Sequence, residues 1–395
     1  MTDSIVIVSA ARTPMGSFQG GFSSLAAHDL GGVAIRAAVQ RAGIRSEQVD
    51  EVLFGNCLMA GQGQAPARQA AFKGGLPISA GAVTLSKMCG SGMRAAMFAH
   101  DMLLAGSADV LVAGGMESMT NAPYLLPKAR GGYRIGHDRI FDHMMLDGLE
   151  DAYEAGRSMG TFGEDCAAKY GFTREQQDQF AIASVQRAQA ATKSGAFAGE
   201  IAPVTVKGRA GDTVISIDEG PGKVKLEKIP TLKAAFKKDG TITAASSSSI
   251  NDGAAALVLM RSSSAVKLGL KPLARIVSHA VHAQEPNWFA TAPVGAVKKA
   301  LAKAGWSVKD VDLWEVNEAF AVVPMALMRE LGLSHEIVNV NGGACALGHP
   351  IGASGARIMV TLLYALQARG LKKGVATLCI GGGEGTAVAL ELCSY

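Results

Sequence analysis

Short apolar runs alternate with helix-length segments along most of this chain, and that alternation limits its architecture more than any other feature. Residues 4–10 read as a buried strand, 25–42 as a helix ending before Gly43, and VDEVLFGNC as a second strand. A helix with a loop entrance follows over 61–75, then a helix over 92–105 and the strand ADVLVAGG. Strands separated by helices of this length need crossover connections, which predicts a layered α/β core. The same texture resumes with SSINDGAAALVLM at 248–260 and runs to the end.

Between 120 and 245 the alternation lapses. The segment is more polar, and its one helix signal is TREQQDQFAIASVQRAQAAT, opened by a capping box of Thr173 and Gln176. A structureless loop of that length is out of place in a compact protein, so the segment reads as an inserted loop domain. The flanking regions echo each other. Ser91, Gly92 and Arg94 before the helix at 92–105 match Ser354, Gly355 and Arg357 before a helix at 356–369, and ADVLVAGGMES is similar to GVATLCIGGGEG. Two similar α/β halves around an insertion are the expectation.

Composition narrows the function. With 48% hydrophobic and 18% charged residues the chain is neither disordered nor a nucleic-acid-binding chain, and a net charge of +4 of mixed sign gives no case for a polyanionic partner. A basic bias over 200–240, including Lys207, Arg209, Lys223, Lys225 and Lys228, suits a solvated face or an anionic small molecule. The six cysteines are too scattered for a disulfide scaffold, and reduced thiols fit better. No uninterrupted apolar run reaches the roughly 20 residues of a membrane helix, and the first strand leaves no room for a secretory leader. The expectation is a cytoplasmic protein with no membrane or nucleic-acid partner.

Four segments carry chemistry. In TLSKMCGSGMRAAM an apparent strand stops at Cys89, glycines stand at 90 and 92, and a helix follows, so the thiol sits near a helix amino end whose dipole favours a thiolate. In DLWEVNEAFAVVP a strand runs into Asn317, which either caps the turn or hydrogen-bonds an oxyanion or a water. His349 lies before a proline in the glycine-dense VNVNGGACALGHPIGASGARI, where an imidazole could take a thiol proton. In ATLCIGGGEG, Cys379 ends an apolar strand before three glycines, a setting like that of Cys89. Two such thiols would let one carry an acyl group while the other moves a proton at carbon. No CxxC pair, GxGxxG or GxxxxGK[ST] is present, so no metal, nucleotide hydride transfer or P-loop chemistry is expected.

CGSG at 89–92, NEAF at 317–320, GHP at 348–350 and CIG at 379–381, in this order along 395 residues, together resemble the signature set of the thiolase family. The resemblance covers essentially the whole chain. It implies that Cys89 is the acylated nucleophile, that Cys379 is the acid/base at the substrate carbon, and that His349 activates Cys89 and helps bind the thioester oxygen. Asn317 would hold a water for the same oxyanion, with the N–H groups of Cys89 and Gly381 forming a second oxyanion hole.

The family reaction is reversible condensation of two acetyl-CoA molecules to acetoacetyl-CoA and CoA. Acetyl-CoA, acetoacetyl-CoA and CoA are thus the expected partners, with no cofactor, since the CoA thioesters are substrates. A broader 3-ketoacyl-CoA thiolase of fatty-acid degradation is the rival reading, and a noncatalytic acyl-CoA binder a remoter one. The likeness further implies a homotetramer and a thiolase-like fold divided into residues 1–120 with 246–270, a loop domain at 121–245, and residues 271–395. Ser248 matches a serine contacting pantetheine, and Lys223 is a candidate for the CoA phosphates. Met159, Trp288 and Phe289 are candidates for the acyl pocket. Three places depart from the family pattern: Ser158 stands where many short-chain members have histidine, Gly222 follows Pro221 where arginine is usual, and Asn287, Trp288 and Phe289 replace a pocket methionine.

Overall fold

The structure, a computed structural model, describes residues 3–209 and 211–393. Its main sheet is built on β1 (Ile5–Arg12), β2 (Glu51–Gly55), β3 (Gly81–Leu85), β4 (Val110–Ser118), β5 (Asn251–Arg261), β6 (Ala274–Ala283), β7 (Leu313–Val316), β8 (Lys373–Ile380) and β9 (Glu384–Leu392). The principal helices are α1 (Ala27–Ala42), α2 (Pro66–Lys73), α3 (Ser91–Ala105), α4 (Met159–Tyr170), α5 (Arg174–Ser194), α6 (Ala292–Ala304), α7 (Val322–Leu331) and α8 (Ile351–Arg369). Strand order is β7-β8-β9-β6-β1-β5-β4-β2-β3, with Gly16–Ser17 paired to β5.

The sequence echo is a structural repeat. In one half-sheet β2 is parallel to β4, β4 antiparallel to β5 and β5 antiparallel to β1. In the other, β7, β8, β9 and β6 repeat the same pairings. The halves meet at Val6↔Arg275 and Ile7↔Ala274. Even irregularities recur: β1 shifts register between Ile7 and Ser9, and β6 between Ile276 and Ser278. After each shift a serine hydroxyl donates to a helix carbonyl at 2.6 Å, Ser9 to Ala38 on α1 and Ser278 to Ala300 on α6. The bulge turns a small polar side chain toward the covering helix and satisfies it there.

Helices α3 and α8 lie in the central layer. Leu103, Ile358 and Leu362 from these helices pack with Leu257 and Leu390 from the strands in one buried cluster. The helices touch backbone to backbone at their glycines. A methyl at Gly92 would stand 2.7 Å from the Ala356 nitrogen, and one at Gly355 would stand 2.4 Å from that of Met93. This close crossing brings the amino ends of both helices, and the loops before them, to one place. Helix α8 has the length and apolarity of a membrane span, but 83% of that stretch is buried inside the protein.

Three local expectations need correction. Helix α8 starts at Ile351, five residues before the predicted 356, because Pro350 caps it and the loop-like IGAS run is fully buried against the opposite half. Strand β5 begins at Asn251 rather than 248. The insertion holds a second long helix, α4, whose glycines mask its periodicity. Gly160 makes room for the Phe236 ring and Gly163 for Ile242. The Thr173–Gln176 capping box on α5 forms as expected, with the Gln176 N–H donating to Thr173 Oγ1 at 3.2 Å and the Thr173 N–H to Gln176 Oε1 at 3.0 Å.

Candidate active site

Cys89 sits in the turn between β3 and α3. Met88, just before it, has φ of 45°, the left-handed region that a methionine adopts only under constraint. The constraint is Ser91, whose Oγ accepts from the Lys87 N–H at 2.8 Å and donates to the Met88 carbonyl at 2.7 Å. Gly90 lets the other half approach, since a methyl there would lie 2.4 Å from Ile380 Cδ1. At this contact the Gly381 N–H donates to the Cys89 sulfur.

Cys379 is the penultimate residue of β8 and is fully buried. Burial, then the nearby Cys89, push its thiol well above the usual range. The glycines that follow turn the chain with φ of 90° at Gly382 and 87° at Gly383. Above Gly381 the nearest atom to an added methyl is Met159 Cε at 3.8 Å, so this backbone borders open space.

His349 precedes α8, in a loop pressed so tightly onto Asn251 that a methyl at Gly348 would stand 1.9 Å from its Oδ1. The His349 N–H donates to the Ser249 carbonyl at 3.2 Å, Nδ1 lies 2.5 Å from Ser354 Oγ, and Nε2 lies 3.5 Å from Asn317 Nδ2. Burial, with Arg357 adding to it, lowers its pKa to about 3. Asn317 follows β7, its N–H donating to the Thr377 carbonyl at 3.0 Å. Its side chain is 0% exposed and Oδ1 makes no hydrogen bond within the described residues. Neighbouring Glu318 fixes this strand end, accepting from Ser184 Oγ, Asn339 Nδ2 and the Cys345 N–H at 2.7–2.9 Å.

His349 opens onto a chamber of about 220 Å³ walled by Met159, Ser247, Ser248, Phe236 and Phe320. The two phenyl rings meet edge to face at 5.7 Å. Ser249 also lines a second cavity of about 330 Å³, bordered by Lys223, Lys225 and Lys228, so the chamber adjoins a cationic approach. Ser248 is held by its N–H on the Ala319 carbonyl at 2.9 Å. Lys223 Nζ donates to Ser17 Oγ at 2.9 Å and stands 3.8 Å from Glu219.

The structure thus gathers the four segments, and places the remaining candidates unevenly. Met159 and Ser248 line the chamber, whereas Phe289 stands one layer behind, edge-on to Phe320 at 6.3 Å. Trp288 faces Lys169, whose ammonium lies 4.0 Å from its ring centre. Ser158 caps α4, its Oγ accepting from the Gly160 N–H at 3.4 Å. A Cβ at Gly222 would meet nothing within 4 Å among the described residues.

One expectation meets an opposing electrostatic effect. The Cys89 thiol is pushed up to about 11, because burial outweighs the hydrogen bonds from the Gly381 and Cys89 N–H groups. Desolvation at this partly buried turn thus works against the thiolate that the helix amino end favours. The sequence reading also missed Ser354 as the partner of His349, although a hydroxyl one turn into the helix after HP was a usable signal. It missed Phe236 as a wall, since it comes from a remote segment, and Phe320, although it closes the NEAF motif.

Comparison with known proteins agrees with this geometry. The family pattern "Thiolase, N-terminal domain" matches residues 5–263, and "Thiolase, C-terminal domain" matches residues 270–392. An acetyl-CoA acetyltransferase of Chromobacterium violaceum is 51% identical over 98% of this chain and 99% of its own length. That of Cupriavidus necator is 50% identical over 99% and 100%. The crystal structure of the Bacillus anthracis acetyl-CoA acetyltransferase superposes with a TM-score of 0.96 at 41% identity, covering 99% of each chain. With its strand repeat, its insertion and its paired cysteines, this chain belongs to the thiolase family.

Proposed function

We propose that this protein is an acetyl-CoA C-acetyltransferase, joining two acetyl-CoA molecules reversibly into acetoacetyl-CoA and CoA. The observation that carries the reading is the approach of Cys89 and Cys379 across the Gly90–Ile380 contact, with Asn317 bonded to the Cys379 strand at Thr377 and 3.5 Å from the buried His349 imidazole.

His349 Nε2 takes the Cys89 proton as the sulfur attacks the first thioester carbonyl. Negative charge on that oxygen is met by the N–H groups of Cys89 and Gly381. Cys379, resting as a thiol, gives its proton to the departing CoA sulfur and is left as the thiolate. A second acetyl-CoA then loses a methyl proton to Cys379. Its enolate oxygen is stabilised by the His349 imidazolium and by a water held on Asn317, and the carbanion attacks the acyl-cysteine. Cys89 leaves and recovers its proton from His349, so protons and charge balance over the cycle. Loss of one oxyanion donor typically costs about 10²- to 10³-fold in turnover.

A two-carbon preference is supported by the relatives' names, with the paired Phe236 and Phe320 rings standing as candidate walls beside His349. Initial rates of thiolysis on acetoacetyl-CoA, 3-ketohexanoyl-CoA and 3-ketodecanoyl-CoA test this. A steep fall with length is expected, and equal rates would favour the broader 3-ketoacyl-CoA thiolase. The reading includes a homotetramer in the cytoplasm. It is supported by the exposed Val83 on the edge strand β3, by Tyr124, Leu126, Ile135 and Ile140 exposed on the insertion, and by the free thiols of Cys57, Cys89, Cys166, Cys345 and Cys379. Light scattering on the purified protein checks the assembly.

A further inference from the structure

Away from the chamber, three metal-binding side chains converge between the two halves. His100 and Asp101 stand on α3, the helix that starts just after the Cys89 turn, and His279 stands on β6 of the opposite half. His279 Nε2 is 3.2 Å from His100 Nδ1 and 2.9 Å from Asp101 Oδ1, and the latter two atoms are 3.1 Å apart. Donors bound to one ion at about 2.0–2.1 Å stand about 2.9 Å apart in an octahedral face and about 3.4 Å apart in a tetrahedral one. The triangle already has that size, so an ion could seat on it without moving either backbone.

We propose that His100, Asp101 and His279 form a site for a borderline transition-metal ion, Zn²⁺, Co²⁺ or Ni²⁺, that bridges the two halves of the fold. The donor set selects the class: two imidazoles and one carboxylate suit these ions, while Mg²⁺ and Ca²⁺ require more oxygen ligands. Both histidine side chains are 13% exposed and Asp101 is 51% exposed, so the ion enters from solvent beside the carboxylate and keeps open positions for water. The two rings stand edge to face, their centres 4.9 Å apart. Lys303 does not occupy that point, because its ammonium sits on the His279 carbonyl at 3.0 Å.

The reduced full-length protein, stripped with EDTA, is titrated with CoCl₂ while its visible spectrum and melting temperature are followed. One equivalent of Co²⁺ bound without a thiolate charge-transfer band, and a raised melting temperature, are expected. His279→Gln and His100→Gln should each weaken binding by at least about tenfold, with melting in EDTA unchanged. Asp101→Asn, which keeps the shape and removes the charge, gives a third check should either histidine variant fold poorly. Absence of binding, binding unaltered in all three variants, or a spectrum dominated by thiolate ligation would overturn the proposal.

Discussion

Ser354 fixes the tautomer of His349. Its single hydroxyl proton goes to the Pro350 carbonyl at 2.9 Å, so Ser354 Oγ accepts at 2.5 Å from the N–H at His349 Nδ1. The Nε2 lone pair then accepts from Asn317 Nδ2 at 3.5 Å. The orientation of the ring thus depends on a residue that does not line the chamber.

Ser354→Ala should lower kcat of thiolysis by about 10- to 100-fold through misorientation of the ring, with little change in KM. Ser354→Thr should recover part of that loss. A kcat effect without rescue by threonine, accompanied by a lowered melting temperature, would mark a purely packing role.

The raised thiol and lowered imidazole make a prediction about pH. A thiolate–imidazolium pair would be alkylated at a rate that levels off near neutrality, whereas a thiol pushed up to about 11 gains thiolate continuously as pH rises. Inactivation of the free enzyme by iodoacetamide should thus climb roughly tenfold per pH unit from 6 to about 9. A plateau below pH 8 would show that a preformed ion pair exists.

The two sulfurs should separate by product. Cys89→Ala is expected to accumulate no acetyl-enzyme on exposure to acetyl-CoA. Cys379→Ala should still acetylate yet lose exchange of the acetyl methyl hydrogens with solvent and lose carbon–carbon bond formation. Intact-protein mass spectrometry reads the first property and deuterium uptake into acetyl-CoA the second. An acetyl group mapped to Cys379 in the unaltered enzyme would reverse the assignment.

At the cationic approach, Lys223→Ala should raise KM for CoA substrates more than for shortened thioesters that lack the adenosine phosphates. The difference should shrink at high salt, because the Lys223 side chain is 59% exposed and screened. Equal effects on the two substrates would reject phosphate recognition by this residue.

The glycine crossing is the mechanical weak point. Gly355→Ala forces a methyl to within 2.4 Å of backbone on α3, and overpacking of this kind costs about 1–3 kcal/mol. A drop in melting temperature should come with a loss of activity larger than that of an equally destabilising surface variant, since both helix starts carry site residues. Unchanged activity in a destabilised Gly355→Ala would uncouple the crossing from the site.

Much of this was legible in sequence because it rests on local rules. The strands β1, β4 and β8 read as continuous apolar runs since they are buried on both faces, and the glycines at 90 and 381–383 announced turns. The echo of Ser91–Gly92 with Ser354–Gly355 pointed to the repeat. What escaped depends on contacts between remote segments. The extent of α8 is set by burial of its first turn against the other half, α4 by the fit of Phe236 over Gly160, and the surroundings of Cys89 by the approach of Gly381 from the other half. None of these is written within a window of neighbouring residues.

The depth of the site has a consequence for the fate of the intermediate. Asn317 and Cys379 are 0% exposed and His349 is 6% exposed, so bulk solvent has no broad access to the groups that would activate it. An acyl-cysteine formed there has two competing futures, capture by a carbon nucleophile or wasteful hydrolysis. The second requires a mobile water beside an imidazole that faces a chamber walled in part by Ser249 and Phe320. The lifetime of the acyl group is thereby set less by the sulfur that bears it than by the walls around it.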